Sequence, residues 1–147
     1  MNMIYDPDNI FAKILRGEMP AVKVYEDAAT LAFMDVMPQS PGHTLVIPKA
    51  PATNIYDLPV EAAAAVMRTV HRLAPAVQAA MRADGIMVCQ YNGAAAGQSV
   101  FHYHMHIVPR YVGQSLGNHG SGMAPAETLK AYADKISAAL AAAGHAD

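Results

Sequence analysis

The chain is short of several residue types, and each shortage excludes a class of protein. Tryptophan is absent. Cys89 is the only cysteine, so no disulfide can form within the chain. Lysine and arginine form no block and the formal net charge is −2, which argues against a nucleic-acid-binding surface. No apolar run approaches the ~20 residues that cross a bilayer, and the first residues lack the basic and apolar regions of a signal peptide. We therefore expect no nucleic-acid partner, no membrane partner and a cytoplasmic location.

The residues that are present supply enough apolar material for one core. Hydrophobic residues make up 53% of the 147 residues and charged residues 15%. This balance is too apolar for disorder, and the length fits one ordinary domain. We predict a single domain over residues 1–147, in which residues 113–147 form a Gly-rich loop and a helical extension.

Hydrophobic periodicity predicts one long helix and two shorter ones. The first covers residues 9–16, with Asn9 as its N-cap and Gly17 at its end. The long helix follows Asp57 as a cap, and Pro75 inside it should kink the helix or split it in two. The last helix covers residues 125–143. Its predicted apolar stripe consists of Leu129, Tyr132, Ala133, Ile136 and Leu140.

Five segments have the alternation or the β-branched composition of strands. Most connections between them are too short for parallel crossovers. The pattern therefore predicts an α+β domain built on a five-stranded antiparallel sheet. The predicted strands are residues 22–25, 30–34, 43–48, 86–91 and one segment within 99–111.

Three histidines alternate with apolar residues in one of these strands. His102, His104 and His106 should project from the same face, ~6.6 Å apart. The other face should be apolar and pack under a helix. The residues of that second face are Phe101, Tyr103, Met105 and Ile107.

Three interpretations of this histidine face remain open from the residues alone. The histidines are core or surface residues with satisfied hydrogen bonds, or they bind a metal, since His-x-His pairs on strands hold zinc. The third interpretation is nucleophilic catalysis at phosphorus, in which one imidazole attacks and its neighbours orient it and move protons. No Asp, Glu or Cys stands beside the three histidines in sequence to complete a metal site.

Residues 102–108 have the pattern His-Φ-His-Φ-His-Φ-Φ, where Φ is apolar, and this resembles the signature of the histidine triad (HIT) superfamily. The resemblance extends over roughly residues 8–112. It implies a HIT-like fold, in which two five-stranded sheets join into a ten-stranded sheet in a homodimer. It also implies hydrolysis or transfer of nucleoside monophosphates through a nucleotidyl-histidine intermediate. The resembling blocks are NIFAKI at 9–14, AFMDV at 32–36, PGHTLVIPK at 41–49 and GQSV at 97–100, the last as in the Hint branch.

The resemblance implies a role for each histidine of the pattern. His104 matches the nucleophile that becomes adenylylated and is then released by water. His102 matches the residue that orients His104, largely through its backbone carbonyl. His106 matches the residue that binds phosphate oxygens or assists the leaving group, and His43 matches a separate histidine that hydrogen-bonds within the triad.

The resemblance also implies a nucleotide pocket. Asp35 matches the carboxylate that accepts the ribose hydroxyls, while an apolar slot holds the purine by contact. Asn92, Gln98 and Ser99 match polar groups near the α-phosphate and the leaving group. The residues that match the slot, each of which is also a candidate core residue, are Ile10, Phe11, Ile14, Phe33, Val36 and Leu45.

The sequence departs from this pattern in two places that bear on chemistry. Many bacterial relatives hold a structural zinc with a Cys-x-x-Cys pair near the opening helix, but residues 8–12 contain no cysteine and residues 49–51 no histidine. We therefore predict no metal and no other cofactor. The tail after the triad resembles that of bacterial HIT proteins described as dinucleoside polyphosphate hydrolases, so Arg110 is a candidate polyphosphate contact or a solvated arginine.

The predicted function is hydrolysis of adenosine 5'-phosphoramidates or dinucleoside polyphosphates at the α-phosphorus, with release of AMP and a preference for adenosine. Three alternatives stay open. The chain is a nucleotidyltransferase, a nucleotide-binding regulatory protein with weak activity, or a metal-binding protein that uses the triad. For the first of these the chain is short.

Overall fold

The computed structural model describes residues 4–116 and 122–144. Over these ranges the chain forms the predicted α+β fold, with five antiparallel strands and three α-helices. The 3-10 turn Ala94–Ala96 lies between the last two strands. The elements are α1 (Ile10–Leu15), β1 (Lys23–Glu26), β2 (Thr30–Met34), β3 (Thr44–Pro48), α2 (Val60–Met81), β4 (Gly85–Cys89), β5 (Met105–Arg110) and α3 (Ala126–Ala142).

The sheet has the strand order β1-β2-β3-β5-β4. The strand that carries the end of the triad therefore lies inside the sheet, between β3 and β4. His106 pairs with Leu45 of β3 on one side and with Cys89 of β4 on the other. This double pairing fixes His106 more firmly than an edge position would.

α1 packs against the open face of the sheet. Asn9 is its N-cap as predicted, because its side chain accepts a hydrogen bond from the Ala12 N–H at 2.9 Å. Six residues are too few for a helix that is stable alone, so tertiary packing must hold it. Phe11 and Ile14 supply that packing by joining an apolar cluster on the sheet.

α2 covers the opposite face of the sheet as one continuous helix of 22 residues. Of the two effects expected at Pro75, a split does not occur. Leu73, Ala76 and Val77, which flank Pro75 in sequence, are all buried in the main core. Their packing opposes the cost of about 3 kcal/mol that an interior proline imposes on a helix.

The start of α2 corrects the expected cap. Pro59 is the residue before the helix, and no side chain caps it. Asp57 instead accepts hydrogen bonds from the N–H groups of Thr53 and Asn54, at 2.9 and 3.0 Å. Burial alone would raise the pKa of Asp57, but these bonds outweigh it and lower the pKa. Asp57 therefore closes the turn that follows β3.

α3 lies beside α2 and β1. The apolar stripe predicted for this helix is confirmed, since Tyr132 packs partly buried against the core and the other four residues are fully buried. Those four are Leu129, Ala133, Ile136 and Leu140.

Within residues 4–116 and 122–144, no helix is both long and apolar enough to cross a membrane.

Candidate active site

The triad straddles the start of β5, which corrects the expected strand. Only His106 lies in β5, whereas His102 and His104 precede it. The Tyr103 N–H donates to the carbonyl of Ala52 at 2.8 Å, so the segment before β5 binds the loop after β3.

The two predicted faces of the triad segment largely survive this change. Tyr103, Met105 and Ile107 lie in the main core with α2. Phe101 does not join them. It lies at a bend in the chain and lines a surface cavity near Asn9 instead.

His104 is held by its own backbone neighbourhood. Its side chain is almost completely buried, and its Nδ1 lies 2.7 Å from the carbonyl oxygen of His102. A carbonyl can only accept, so Nδ1 carries a proton, and in the neutral ring Nε2 carries the lone pair. The Phe11 ring meets the His104 ring edge to face, with centroids 5.0 Å apart. His104 therefore offers a nucleophilic nitrogen beside the apolar cluster.

His102 is fully buried and bonded at both ring nitrogens. Its Nε2 lies 2.8 Å from the carbonyl oxygen of Pro48, and its Nδ1 lies 2.7 Å from the hydroxyl of Tyr5. Burial lowers the pKa of His102, although the Pro48 carbonyl and the charge of Asp57 act in the opposite direction. His102 is therefore a neutral imidazole.

A second chain of hydrogen bonds reaches His106 through His43. The backbone N–H of Gln39 donates to His43 Nδ1 at 3.0 Å. A neutral His43 that accepts there carries its proton on Nε2, which lies 2.9 Å from His106 Nδ1. His106 then accepts at Nδ1 and keeps its own proton on Nε2. This places a hydrogen-bond donor beside His104, whose ring centroid is 4.9 Å away.

Asp35 completes this part of the site. It is buried, its Oδ1 accepts the Met37 N–H at 2.8 Å, and its Oδ2 lies 3.4 Å from His43 Nε2. One ligand atom each of Asp35, His43 and His106 lies within 4.8 Å of the others, so these three residues have the donor types to hold a metal ion. The prediction of no metal is based on residues 8–12 and 49–51, and this cluster lies outside both ranges. The ribose contact of Asp35 stays a prediction.

A cavity of about 280 Å³ opens beside His106 and is lined by Ser99 and by the loop around Gly97. Two of its other lining residues, Gln39 and Tyr91, escaped the sequence analysis. Gln39 acts on His43 through its backbone, which residue type does not reveal. Tyr91 lies with its ring centroid 5.3 Å from that of His106. Its bond with the Cys89 thiol, together with burial, raises the pKa of Tyr91 to about 12, so Tyr91 is a neutral phenol.

Gln98 and Asn92 bind protein groups around this cavity. The Gln98 side chain accepts from the Gly93 N–H at 2.8 Å and donates to the carbonyls of Thr53 and Val100 at 2.7 and 3.0 Å. The Asn92 side chain accepts from the Ile55 N–H at 2.8 Å. Both residues therefore hold the loops that shape the cavity, and their direct contact with phosphate stays a prediction.

The residues matched to the purine slot divide into two groups. Ile10 and Val36 are each 43% exposed and lie outside the apolar cluster, so they can only form the rim of a slot. The Phe11 and Phe33 rings meet edge to face, with centroids 5.3 Å apart. The structure brings four of the six into one cluster on the open face of the sheet, namely Phe11, Ile14, Phe33 and Leu45.

Arg110 lies outside the cavity beside His106. It donates to the carbonyl of Gln114 at 3.2 Å and lines a second cavity of about 210 Å³. Gln39 lines both cavities. A polyphosphate contact of Arg110 therefore stays a prediction that requires the ligand to extend past Gln39.

Known proteins share both the sequence and this fold. A family model described as HIT domain matches residues 16–113. Protein hit of Bacillus subtilis is 47% identical over 102 residues, which cover 69% of this chain and 70% of that protein. A crystal structure of a Hit-like protein from Bartonella henselae has 48% identity and a TM-score of 0.89, and the match covers 93% of this chain and 99% of that one.

Two relatives carry the names of enzymes. Adenosine 5'-monophosphoramidase hnt1 of Schizosaccharomyces pombe is 37% identical over 134 residues, covering 89% of this chain and 97% of that protein. Adenylylsulfatase HINT3 of Arabidopsis thaliana is 42% identical over 103 residues, covering 70% of this chain and 52% of that protein. The family match, these identities and the shared fold establish that the chain belongs to the histidine triad (HIT) family.

Proposed function

We propose that the chain is a nucleotide hydrolase that cleaves at the α-phosphorus through a covalent nucleotidyl intermediate on His104. The substrates are adenosine 5'-phosphoramidates or dinucleoside polyphosphates, and AMP is released. The observation that carries this proposal is the 2.7 Å bond from His104 Nδ1 to the His102 carbonyl, because it leaves the lone pair on Nε2. The phosphoramidase and adenylylsulfatase names of two relatives support it.

In the first step, His104 Nε2 forms a bond to the α-phosphorus while the bond from phosphorus to the leaving group breaks. The His104 ring thereby gains positive charge, and the His102 carbonyl, which accepts from Nδ1–H, stabilises that charge. His106 Nε2–H donates its proton to a leaving amine. A phosphate leaving group instead departs as an anion and requires no proton.

In the second step, water attacks the phosphorus and the P–N bond returns its electron pair to His104 Nε2. Its positive charge makes the imidazole a good leaving group. After an amine has left, the proton of the water goes to the deprotonated Nε2 of His106, which thus acts first as an acid and then as a base. After a phosphate has left, His106 still carries its proton, and the proton of the water goes to the released phosphate or to solvent.

The apolar cluster supports the choice of a purine nucleotide. Phe11 touches both the His104 ring and the Phe33 ring, so a base that binds over this cluster brings its α-phosphate close to His104. Asp35, 3.4 Å from His43 Nε2, is the proposed acceptor for the ribose hydroxyls. Adenosine is the proposed base because an apolar slot selects purines by contact area.

The test is single-turnover hydrolysis of an adenosine phosphoramidate and of diadenosine tetraphosphate. We expect the wild type to release AMP, with a protein adduct of one adenylyl group detectable by mass spectrometry. His104→Ala should lower the rate by at least about 10⁴-fold, whereas His71→Ala, on the exposed surface of α2, should not change it. The faster substrate identifies the leaving group.

A wild type that binds AMP and cleaves neither substrate would contradict the hydrolase proposal. A regulatory nucleotide-binding protein would then explain binding without turnover, and transfer to an added acceptor would indicate a nucleotidyltransferase. We further propose a homodimer located in the cytoplasm, in which β4, an edge strand of the sheet, pairs with its copy.

A further inference from the structure

The segment before α1 places one side chain against the triad. The Tyr5 hydroxyl lies 2.7 Å from His102 Nδ1, and the two rings meet edge to face with centroids 5.7 Å apart. The HIT pattern begins at His102 and does not include this residue. We propose that Tyr5 is a positioning residue, which fixes the His102 ring and thereby aims His104 at the α-phosphorus. This inference rests on the proposed function for its catalytic consequence.

The direction of the bond between Tyr5 and His102 follows from the partner on the other side of the ring. The Pro48 carbonyl only accepts, so His102 Nε2, 2.8 Å away, carries a proton. Because burial keeps the ring neutral, Nδ1 holds a lone pair. The Tyr5 hydroxyl therefore donates to it, and only this tautomer of His102 satisfies both partners.

Tyr5 is tied to α1 through a hydrogen-bonded turn. The carbonyl of Asp6 accepts from the N–H of Asn9 at 3.2 Å and from its side-chain amide at 2.7 Å. Arg16, at the end of α1, donates to the carbonyl of Pro7 at 2.6 Å. Asn9 also caps α1. Because α1 is held on the sheet, the turn that joins it to Tyr5 also restricts the position of the Tyr5 hydroxyl.

Fixing the His102 ring also fixes its main chain. The ring is bonded at opposite edges by Tyr5 and Pro48, and the carbonyl of the same residue receives His104 Nδ1–H at 2.7 Å. Without the hydroxyl, Nδ1 would be a buried acceptor with one donor fewer. The ring would then have room to turn, and the His102 carbonyl would hold His104 less strictly. Small misplacements of a nucleophile slow its reaction strongly.

The kinetic test uses Tyr5→Phe, which keeps the ring and its edge-to-face contact but removes the hydroxyl. Tyr56→Phe is the matched control, because Tyr56 is 70% exposed. We expect Tyr5→Phe to lower kcat for AMP release by about 10-fold, the lower end of the effect that loss of an outer hydrogen-bond partner has on metal-binding histidines. KM should stay within about two-fold, since Tyr5 touches no proposed substrate group.

The spectroscopic test reads the hydrogen bonds without turnover. Long-range ¹H–¹⁵N spectra of the histidine rings should show His102 as the Nε2–H tautomer in the wild type. In Tyr5→Phe, the Nδ1 resonance of His102 should move towards that of a nitrogen without a donor. The Nδ1–H proton of His104 should move upfield as its bond to His102 lengthens. Urea unfolding of the same samples verifies that each variant is folded.

The outcomes separate this inference from the proposed function. Ring resonances that are the same in Tyr5→Phe and wild type would overturn the positioning role, whatever the activity. Equal kcat for Tyr5→Phe and Tyr56→Phe, in a protein that releases AMP, would overturn it as well. If the wild type cleaves no nucleotide, the proposed function and the catalytic consequence of Tyr5 both fail, and the resonances alone decide whether Tyr5 fixes His102.

Discussion

Two main-chain groups that can only accept or only donate a hydrogen bond determine which ring nitrogens of the histidines carry protons. The Pro48 carbonyl only accepts and the Gln39 N–H only donates. Each therefore selects one tautomer of the histidine that it contacts, His102 and His43 respectively. The selected tautomer of His43 leaves the proton of His106 on Nε2, and the main-chain carbonyl of His102 leaves the lone pair of a neutral His104 on Nε2. The proposed transfer from an amine requires these two forms.

Removing His43 should affect substrates according to their leaving group. His43→Ala deletes the donor to His106 Nδ1, 2.9 Å away in the wild type, and the proton of His106 is then no longer confined to Nε2. We expect cleavage of an alkylamine phosphoramidate of adenosine to slow by about 10²-fold. The p-nitrophenyl ester of AMP, whose leaving group needs no proton, should slow much less. Single-turnover rates for the two substrates give the comparison.

His43→Gln is the matched variant, because its amide N–H can replace the donor at Nε2. We expect this variant to recover part of the rate with the amine leaving group. Equal slowing of both substrates in His43→Ala would show that His43 acts on binding or packing instead of on proton transfer.

The four histidines of the site could be found from sequence because their spacing and local context resemble a family pattern. Tyr5 could not be found in this way, since its contact with His102 spans 97 positions and depends on the turn before α1. Gln39 escaped for another reason, namely that its contribution is a backbone N–H, which every residue except proline carries. The sequence predicts Gln98 near the α-phosphate, which stays a prediction, but it does not reveal the three hydrogen bonds of Gln98 to loop groups.

At the scale of elements, the alternation of side chains is better predicted than the bounds of the strands. Alternation in an extended chain needs no partner strand, so Tyr103 and Met105 reach the core whether or not the segment is paired. The start of β5 depends on its pairing with β3 and β4, which is a tertiary property. In the same way, the continuity of α2 across Pro75 depends on its buried neighbours. Periodicity identifies these residues but does not give the free energy of their packing.

The turn between β1 and β2 should make part of the stability depend on pH. Asp27 accepts from the N–H groups of Ala29 and Thr30 at 2.9 and 2.8 Å, and from the Tyr25 hydroxyl at 2.8 Å. Burial alone would raise the pKa of Asp27, but these bonds outweigh it and lower the pKa. A lowered folded-state pKa contributes stability above the unfolded value of about 3.9, and that contribution is lost as the pH falls below it.

We therefore expect Asp27→Asn to lower the free energy of unfolding by about 0.5–1 kcal/mol at pH 7, because solvent screens this exposed carboxylate, and by less at pH 3. Urea unfolding at both values measures the difference. Asp134→Asn, at an exposed α3 position paired with Lys130, is the control and should have a smaller effect at pH 7. A loss of equal size at pH 7 and pH 3 would show that charge on Asp27 contributes nothing to the turn.

At the scale of the whole molecule, the two edges of the sheet differ. The carbonyl of Val24 in edge strand β1 accepts from the Ser137 hydroxyl of α3 at 3.4 Å, so α3 shields that edge. β4 forms the other edge. Ile86 of β4 packs against the core, whereas Val88, two residues further along the same face, is 41% exposed. An apolar edge strand of this kind invites pairing with another strand.

The proposed homodimer predicts that Val88→Lys separates the subunits. A two-fold axis through the β4 edge would bring the two new lysines close together, and their repulsion opposes pairing. We expect sedimentation velocity to give a dimer for the wild type and a monomer for Val88→Lys. Val60→Lys, at the first residue of α2, which is 77% exposed, should remain a dimer. A monomeric wild type, or a Val88→Lys dimer as stable as the wild type, would contradict the proposal.

His43 and His102 are both bonded to main-chain groups, so these bonds tolerate substitution of the residues that supply them. Substitution at position 39 alters the lining of the cavity beside His106 but keeps the N–H that polarises His43, unless the newcomer is proline. Replacing Pro48 likewise keeps the carbonyl that holds His102. For the proposed hydrolase we therefore expect substitutions at position 39 to change the leaving-group preference and to keep the proton positions of the histidines, so position 39 is suited to a saturation library.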